Sequence, residues 1–313
     1  MTQKYLDPHQ ALRMLDTLSK YRAAALHLAQ WAIPRGHSPQ NAEEWDDMLV
    51  LYKNRSGISR VNFINVVAAV EFFYPRYKSQ LQWSHSIIEG WTRSHPTRHT
   101  VPICRMNASW VSVHMWEAGY ARLGVGMILQ VAAGLRPSEM LAAEPEHLTF
   151  PEDSGKDFLS GPDTLALGPK TGTKVKRPQV AMIMTDETRL RRVLRLIRSL
   201  TPPGCRMFPY SIQVYRNLLR RLELKLGLQI GWTPHSGRAG FATELRAAGT
   251  PFGEIRERGR WAADSSLRTY LDIVGAAQVA TTLRLSGFAN HIAWAHKHWE
   301  EYFTPAILVA CYR

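Results

Sequence analysis

TPHSGRAGFATEL, residues 233–245, and GRWAADSSLRTYLDIV, residues 259–274, are the two stretches that decide how this chain reads. The first opens a helix and places His235 and Arg238 three positions apart, so both side chains share one face at a helix start, where free backbone N–H groups also favour an anion. The second carries Trp261 and Tyr270 within one segment predicted to be helical over 265–273. Taken singly, these are ordinary residues: a capping histidine, a solvated arginine, a core indole and a helix-packing tyrosine. A third stretch, GLRPSEML at 134–141, sets Arg136 just after the glycine that closes an apolar helix, where a guanidinium can point into a cleft. Its bland alternative is a surface arginine paired with Glu139.

Outward from these stretches the pattern is mostly helical. Helices are predicted at about 107–133, 186–200, 209–226, 236–248 and 251–258, with a last one from 276 to about 302. Strand-like runs fall at His147–Phe150, Thr164–Leu167 and Gln179–Met184, the latter two flanking a basic turn, GPKTGTKVKRP. The first hundred residues show apolar positions at three and four through Leu12, Leu15, Leu18, Tyr21, Leu28 and Trp31, ended by Pro34 and Gly36. Three further helices follow, the second capped by Ser38 with Pro39 at its first position, the others at Ile58–Tyr74 and about Gln80–Thr92. SHPTRHTVP then reads as a linker that also touches its partner through Arg98. The expected fold class is mainly α with a small β-sheet (α+β): a helical domain over 1–93, a linker over 94–102 and a larger domain over 103–313.

The chain has 313 residues and a formal charge of +13. That excess attracts polyanions, and since both halves carry it, nucleic acid becomes the leading partner class. Cys104, Cys205 and Cys311 are distant, odd in number and without a C-x-x-C pair, which argues against a disulfide scaffold or structural zinc. His291, His296 and His298 do not share one helix face as three ligands, so no metal and no cofactor is expected. No apolar run approaches the roughly 18 residues a membrane span needs, and MTQKYLDPHQ lacks a signal-peptide core. A soluble intracellular protein is expected.

The ordered set of Arg136, a turn lysine, His235-x-x-Arg238, Trp261 and Tyr270 resembles the tyrosine recombinase (phage integrase) family. Its motifs are Arg in a G-L-R-x-x-E context, a lysine in a β-hairpin, H-x-x-R, a His or Trp, and a nucleophilic Tyr. The resemblance covers about 103–290, with the helices before it matching the family's core-binding domain more loosely. Trp261 where many members carry His is shared with Cre-type recombinases.

The resemblance implies a site-specific recombinase that cuts and rejoins double-stranded DNA through a 3′-phosphotyrosine on Tyr270. Arg136 and Arg238 clamp the phosphate, because planar guanidinium groups match its oxygens with paired donors. His235 either donates to that phosphate or accepts the tyrosine proton. Trp261 offers an indole N–H but cannot shuttle protons. Lys170, with Lys174 as runner-up, is expected to protonate the leaving 5′ oxygen, and Glu139 to orient Arg136 or His235. Lys174, Lys176, Arg177 and Arg98 are expected on the DNA backbone. The resemblance further implies a C-shaped clamp on DNA and a homo-tetramer on paired sites, with the stretch from Thr281 through Phe288, Ile292 and Trp299 docking on a neighbour or packing on its own core. Type IB topoisomerase, telomere resolvase and a catalytically silent DNA-binding protein remain alternatives.

Overall fold

A computed structural model describes residues 8–95, 99–154, 161–167, 179–184 and 186–310. The chain divides into two compact units, Met1–Arg98 and His99–Arg313. Among the described residues no helix is long and apolar enough to cross a membrane.

Among its described residues the first unit holds four α-helices: α1 (Pro8–Ala32), α2 (Ala42–Ser56), α3 (Arg60–Phe73) and α4 (Gln82–Ser94). Their apolar stripes meet in a core of Leu28, Trp31, Leu49, Tyr52, Phe63, Val66 and Leu81. After α1 comes a short 3-10 turn, Ile33–Arg35, and then Gly36 at φ 73°, as a proline followed by glycine dictates. The start of α2 differs from the sequence expectation. Asn41, not Ser38, is its cap, accepting the Glu44 N–H at 2.9 Å while Glu44 reaches back to the Gln40 N–H at 2.7 Å. The Asn-x-x-Glu spacing satisfies two end donors at once, which Ser38 and Pro39 could not. The N–H groups that open α4 are capped from a distance: the buried Asp46 of α2 accepts from Trp83 N at 2.7 Å and Ser84 N at 2.8 Å.

The second unit is built around α6 (Ala121–Ala133), which is buried along its whole length and packs on α5 (Arg105–Glu117). Glycines at 124 and 126 let it lie close to its neighbours; a methyl on Gly124 would sit 2.7 Å from the Ser112 carbonyl oxygen of α5. Beyond it come the short α7 (Pro137–Leu141), α8 (Thr188–Ser199), α9 (Ile212–Lys225), α10 (Ser236–Ala247), α11 (Phe252–Arg258), α12 (Asp264–Arg268), α13 (Ile273–Leu285), α14 (Ala289–His298) and α15 (Pro305–Ala310).

Three antiparallel strands, β1 (Leu148–Thr149), β2 (Asp163–Leu167) and β3 (Gln179–Ile183), lie in sequence order. The register Leu165↔Ala181 and Leu167↔Gln179 puts Leu165, Leu167, Ala181 and Ile183 on the buried face and leaves Val180 and Met182 outside. The mainly helical α+β class is therefore the fold observed.

Two expectations at the C-terminal end need correction. The helix predicted over 265–273 stops at Arg268, because Asp272 caps a new helix by accepting the Gly275 N–H at 2.7 Å. The single helix predicted from 276 to about 302 is broken into α13 and α14 at Gly287, which sits at φ 81°. Ile292, Ala295 and Trp299 pack into the core of their own unit, with Phe288 against Trp110. His296 faces Ser109 Oγ at 3.1 Å, and His298 pairs with Glu301 at 2.7 Å.

Candidate active site

The α6 helix ends at Gly134 in the left-handed conformation, φ 58°, and a Cβ there would press into the Phe241 ring of α10. Only glycine suits both demands. The chain then extends through Leu135 to Arg136, which caps α7 from outside at φ −69°, ψ 151°. Arg136 N donates to Glu139 Oε2 at 2.8 Å, and Arg136 Nη1 donates to Glu139 Oε1 at 2.5 Å. Of the two partners foreseen for Glu139, the structure selects Arg136.

From the other side comes α10. Its approach is set by Gln130, a lone amide in the apolar α6, whose Nε2 donates to the Pro234 carbonyl at 2.8 Å while its Oε1 accepts from Tyr215 OH at 3.1 Å. Glu223 of α9 fixes the preceding residues by accepting from Gly231 N at 3.1 Å and Trp232 N at 2.6 Å. These anchors hold His235 at the start of α10 and bring Arg238 inward, where it is 1% exposed. Arg238 donates to the Gly134 and Gly259 carbonyl oxygens and stacks over the Trp261 ring, 4.1 Å from its centroid. Gly259 is needed for that stack, since any Cβ on it would overlap the indole.

Tyr270 lies in the turn between α12 and α13, held by Thr243 of α10, whose hydroxyl donates to the Tyr270 carbonyl at 3.3 Å and accepts the Asp272 N–H at 3.3 Å. Its own hydroxyl is 3.3 Å from His235 Nδ1, its ring centroid is 5.6 Å from that of Trp261, and Arg238 Cζ lies 5.8 Å from it. Arg136 and Glu139 thus meet His235, Arg238, Trp261 and Tyr270, which follow them about a hundred positions later or more, in one cluster within one chain. Lys170, Lys174, Lys176, Arg177 and Arg98 lie outside the described residues.

The electrostatics are those of a cationic cup. Burial, then Arg238, Arg136 and Arg216, holds the His235 imidazole below its ordinary range, which keeps it neutral at pH 7. Burial and the neighbouring Arg136 push the Arg238 guanidinium down to about 9, still protonated at neutral pH. Burial pushes Glu139 up, but Arg260, the Arg136 N–H, and the charges of Arg136 and Arg238 together outweigh it and hold the carboxyl below the usual range.

Six buried side-chain polar atoms among the described residues have no hydrogen-bond partner, and three of them are here: Arg238 Nε, Arg260 Nε and Trp261 Nε1. Each unmet buried donor costs about 1–3 kcal/mol. Of these, Arg238 Nε and Trp261 Nε1, beside partly exposed Arg136, favour a ligand rich in acceptor oxygens and negative charge. The sequence reading missed Arg260, Gln130 and Glu223. For the latter two a signal existed, a polar side chain on an otherwise apolar helix face.

No family model matches the chain, and no curated protein matches it. Among solved structures the fold is similar to that of XerH site-specific recombinase bound to palindromic difH substrate in a post-cleavage complex, with 15% identity, a TM-score of 0.55, and 80% of this chain and 75% of that chain covered. The pre-cleavage complex of XerH with difH matches at a TM-score of 0.51 and 15% identity, over 81% of this chain and 75% of that one. At such identity the likeness is one of fold.

Proposed function

We propose that this chain is a site-specific DNA recombinase of the tyrosine class, which cuts and rejoins duplex DNA through a 3′-phosphotyrosine at Tyr270. The observation that carries the reading is the phenol of Tyr270 set 3.3 Å from the His235 imidazole, which is held below its ordinary range, beside Arg238 Nε and Trp261 Nε1, two buried donors with no partner among the described residues. Tyr270 donates its proton to His235 and its oxygen attacks the phosphorus, forming the P–O(Tyr) bond as the bond to the 5′ oxygen breaks. Arg136, Arg238 and the Trp261 N–H take up the charge gathering on the non-bridging oxygens. Lys170 supplies the proton that the departing 5′ oxygen needs. Rejoining is the reverse step, with a 5′ hydroxyl attacking the phosphotyrosine. The residues act without a metal or cofactor, the guanidinium groups filling the role of the cation.

On this reading the 1–93 helices, the 94–102 linker and the 103–313 domain all bind the DNA, with Lys174, Lys176, Arg177 and Arg98 on backbone phosphates and affinity falling steeply with salt. The working form is a homo-tetramer on paired sites, docked through the C-terminal region by faces other than the one Ile292 and Trp299 commit to their own core. The protein works inside the cell on DNA, and the XerH complexes with difH lend this partner class support by fold.

Incubating the protein with fragments of the genome that encodes it, then denaturing and recovering protein-linked DNA, tests the proposal. Recovery of a recurring sequence supports it; no linked DNA at any salt or pH rejects it.

A further inference from the structure

Arg260 is left over once the phosphate site is assigned, and its backbone is unusual. It stands at φ 58°, in the left-handed region that glycine adopts freely and arginine rarely, directly between Gly259 and Trp261. A residue kept there against its own backbone preference has a side chain with a use. That side chain is 6% exposed. Its Nη2 donates to the Gly134 carbonyl at 3.2 Å and to Glu139 Oε2 at 3.1 Å, and its Nη1 to the Ala133 carbonyl at 3.4 Å and the Arg258 carbonyl at 3.3 Å. Three of these four acceptors belong to the turn that runs from the end of α6 into α7 and carries Arg136.

Glu139 is fully buried between two cations, with Oε1 on Arg136 and Oε2 shared by Arg260 and the Arg136 N–H. One carboxylate therefore fixes both the backbone and the guanidinium of Arg136, and Arg260 fixes the carboxylate. We propose that Arg260 is a positioning residue of this site, tying Glu139 and the Gly134 carbonyl together so that Arg136 meets the phosphate in one orientation. This rests on the phosphodiester chemistry proposed above, and it adds a cation that holds the clamp instead of touching the substrate.

The groups facing Glu139 are Arg136 from its own turn, Arg238 from α10 and Arg260 from the segment after α11. Arg260 heads the charges that hold this carboxyl low against burial. Removing it allows Glu139 to take up a proton at higher pH, and a protonated Glu139 no longer orders Arg136. In the native protein Glu139 stabilises above its unfolded pKa and loses that contribution as pH falls through its lower folded value; without Arg260 the contribution at high pH is smaller, so the deficit narrows as Glu139 protonates.

The experiment compares the full chain with R260G, which suits the backbone angle, R260K, and the pair E139Q and E139Q/R260G. Thermal unfolding from pH 8 towards pH 4 is expected to show the R260G deficit closing on acidification, and the corresponding deficit within the E139Q pair staying flat. Covalent capture on the genomic fragment that the native protein links is expected to fall at least tenfold in R260G, with R260K returning it towards the native rate. The inference is overturned if the R260G deficit is independent of pH, or if R260G links DNA at the native rate. A native protein that links no DNA rejects the recombinase reading, while the unfolding series still decides whether Arg260 governs Glu139.

Discussion

Gly240 lies in the first half of α10, where any Cβ would overlap the carbonyl of Ile103 and come within 3.2 Å of the Cys104 nitrogen. Both neighbours are backbone, so neither can swing aside. The same junction is held by the Ile103 N–H donating to the Ser236 carbonyl at 3.0 Å. Gly240→Ala therefore has to push α10 away from residues 103–104. Overpacking of this kind costs about 1–3 kcal/mol and the lost hydrogen bond about 1 kcal/mol, so roughly 3 kcal/mol is expected in all. For a unit of roughly 200 residues that lowers Tm by about 6–12 °C. Since α10 carries His235 and Arg238, a shift of about 1 Å should also slow covalent capture about 100-fold. Differential scanning calorimetry and a capture time course measure the two. Gly253→Ala in α11, where a Cβ meets nothing within 4 Å, is the control and should stabilise by about 0.5–1 kcal/mol. A G240A protein that melts and reacts like the native one would refute the claim that this close approach seats the site.

Gln130→Ala strands the Tyr215 hydroxyl and the Pro234 carbonyl in the core, and chemical denaturation should report a loss of about 2–4 kcal/mol. Arg238→Lys keeps the charge but gives up the paired bonds to Gly134 and Gly259 and the stack on Trp261, so capture should slow about 100- to 1,000-fold with DNA affinity changed far less. Capture by the native protein should fall on acidification only below the ordinary histidine range of about 6.5, because His235 must be neutral to accept the phenol proton. Arg136→Met removes one of the charges that keep this imidazole neutral, so the same limb should move to higher pH in that variant.

Much of the candidate cluster was legible because each part of it is marked locally in sequence. His235 and Arg238 need only a helix start and a spacing of three, and Arg136 needs only the glycine that closes α6. The three strand-like runs and the basic turn between the last two were legible in sequence, whereas the strand order is a finding of the structure. Where the reading slipped, a competing cap had won: Asn41 over Ser38 at the start of α2, and Asp272 over a continuous helix through Tyr270. The second slip bears on the candidate site, since the turn it hides carries Tyr270, whose hydroxyl is 3.3 Å from His235 Nδ1. Gly287 broke a helix that periodicity alone would continue. Arg260 was beyond local reasoning altogether, because its partners Ala133, Gly134 and Glu139 lie more than a hundred positions away and no helix or strand period relates them.

If Tyr270 is the nucleophile, its phenol oxygen is the atom that carries the DNA. Digesting the linked complex with trypsin and nuclease, then sequencing the modified peptide by mass spectrometry, should place a nucleotide phosphate on Tyr270 within the fragment Thr269–Arg284, with Tyr270→Phe yielding none. Linkage through any other side chain, or linked DNA persisting in Y270F, would contradict it.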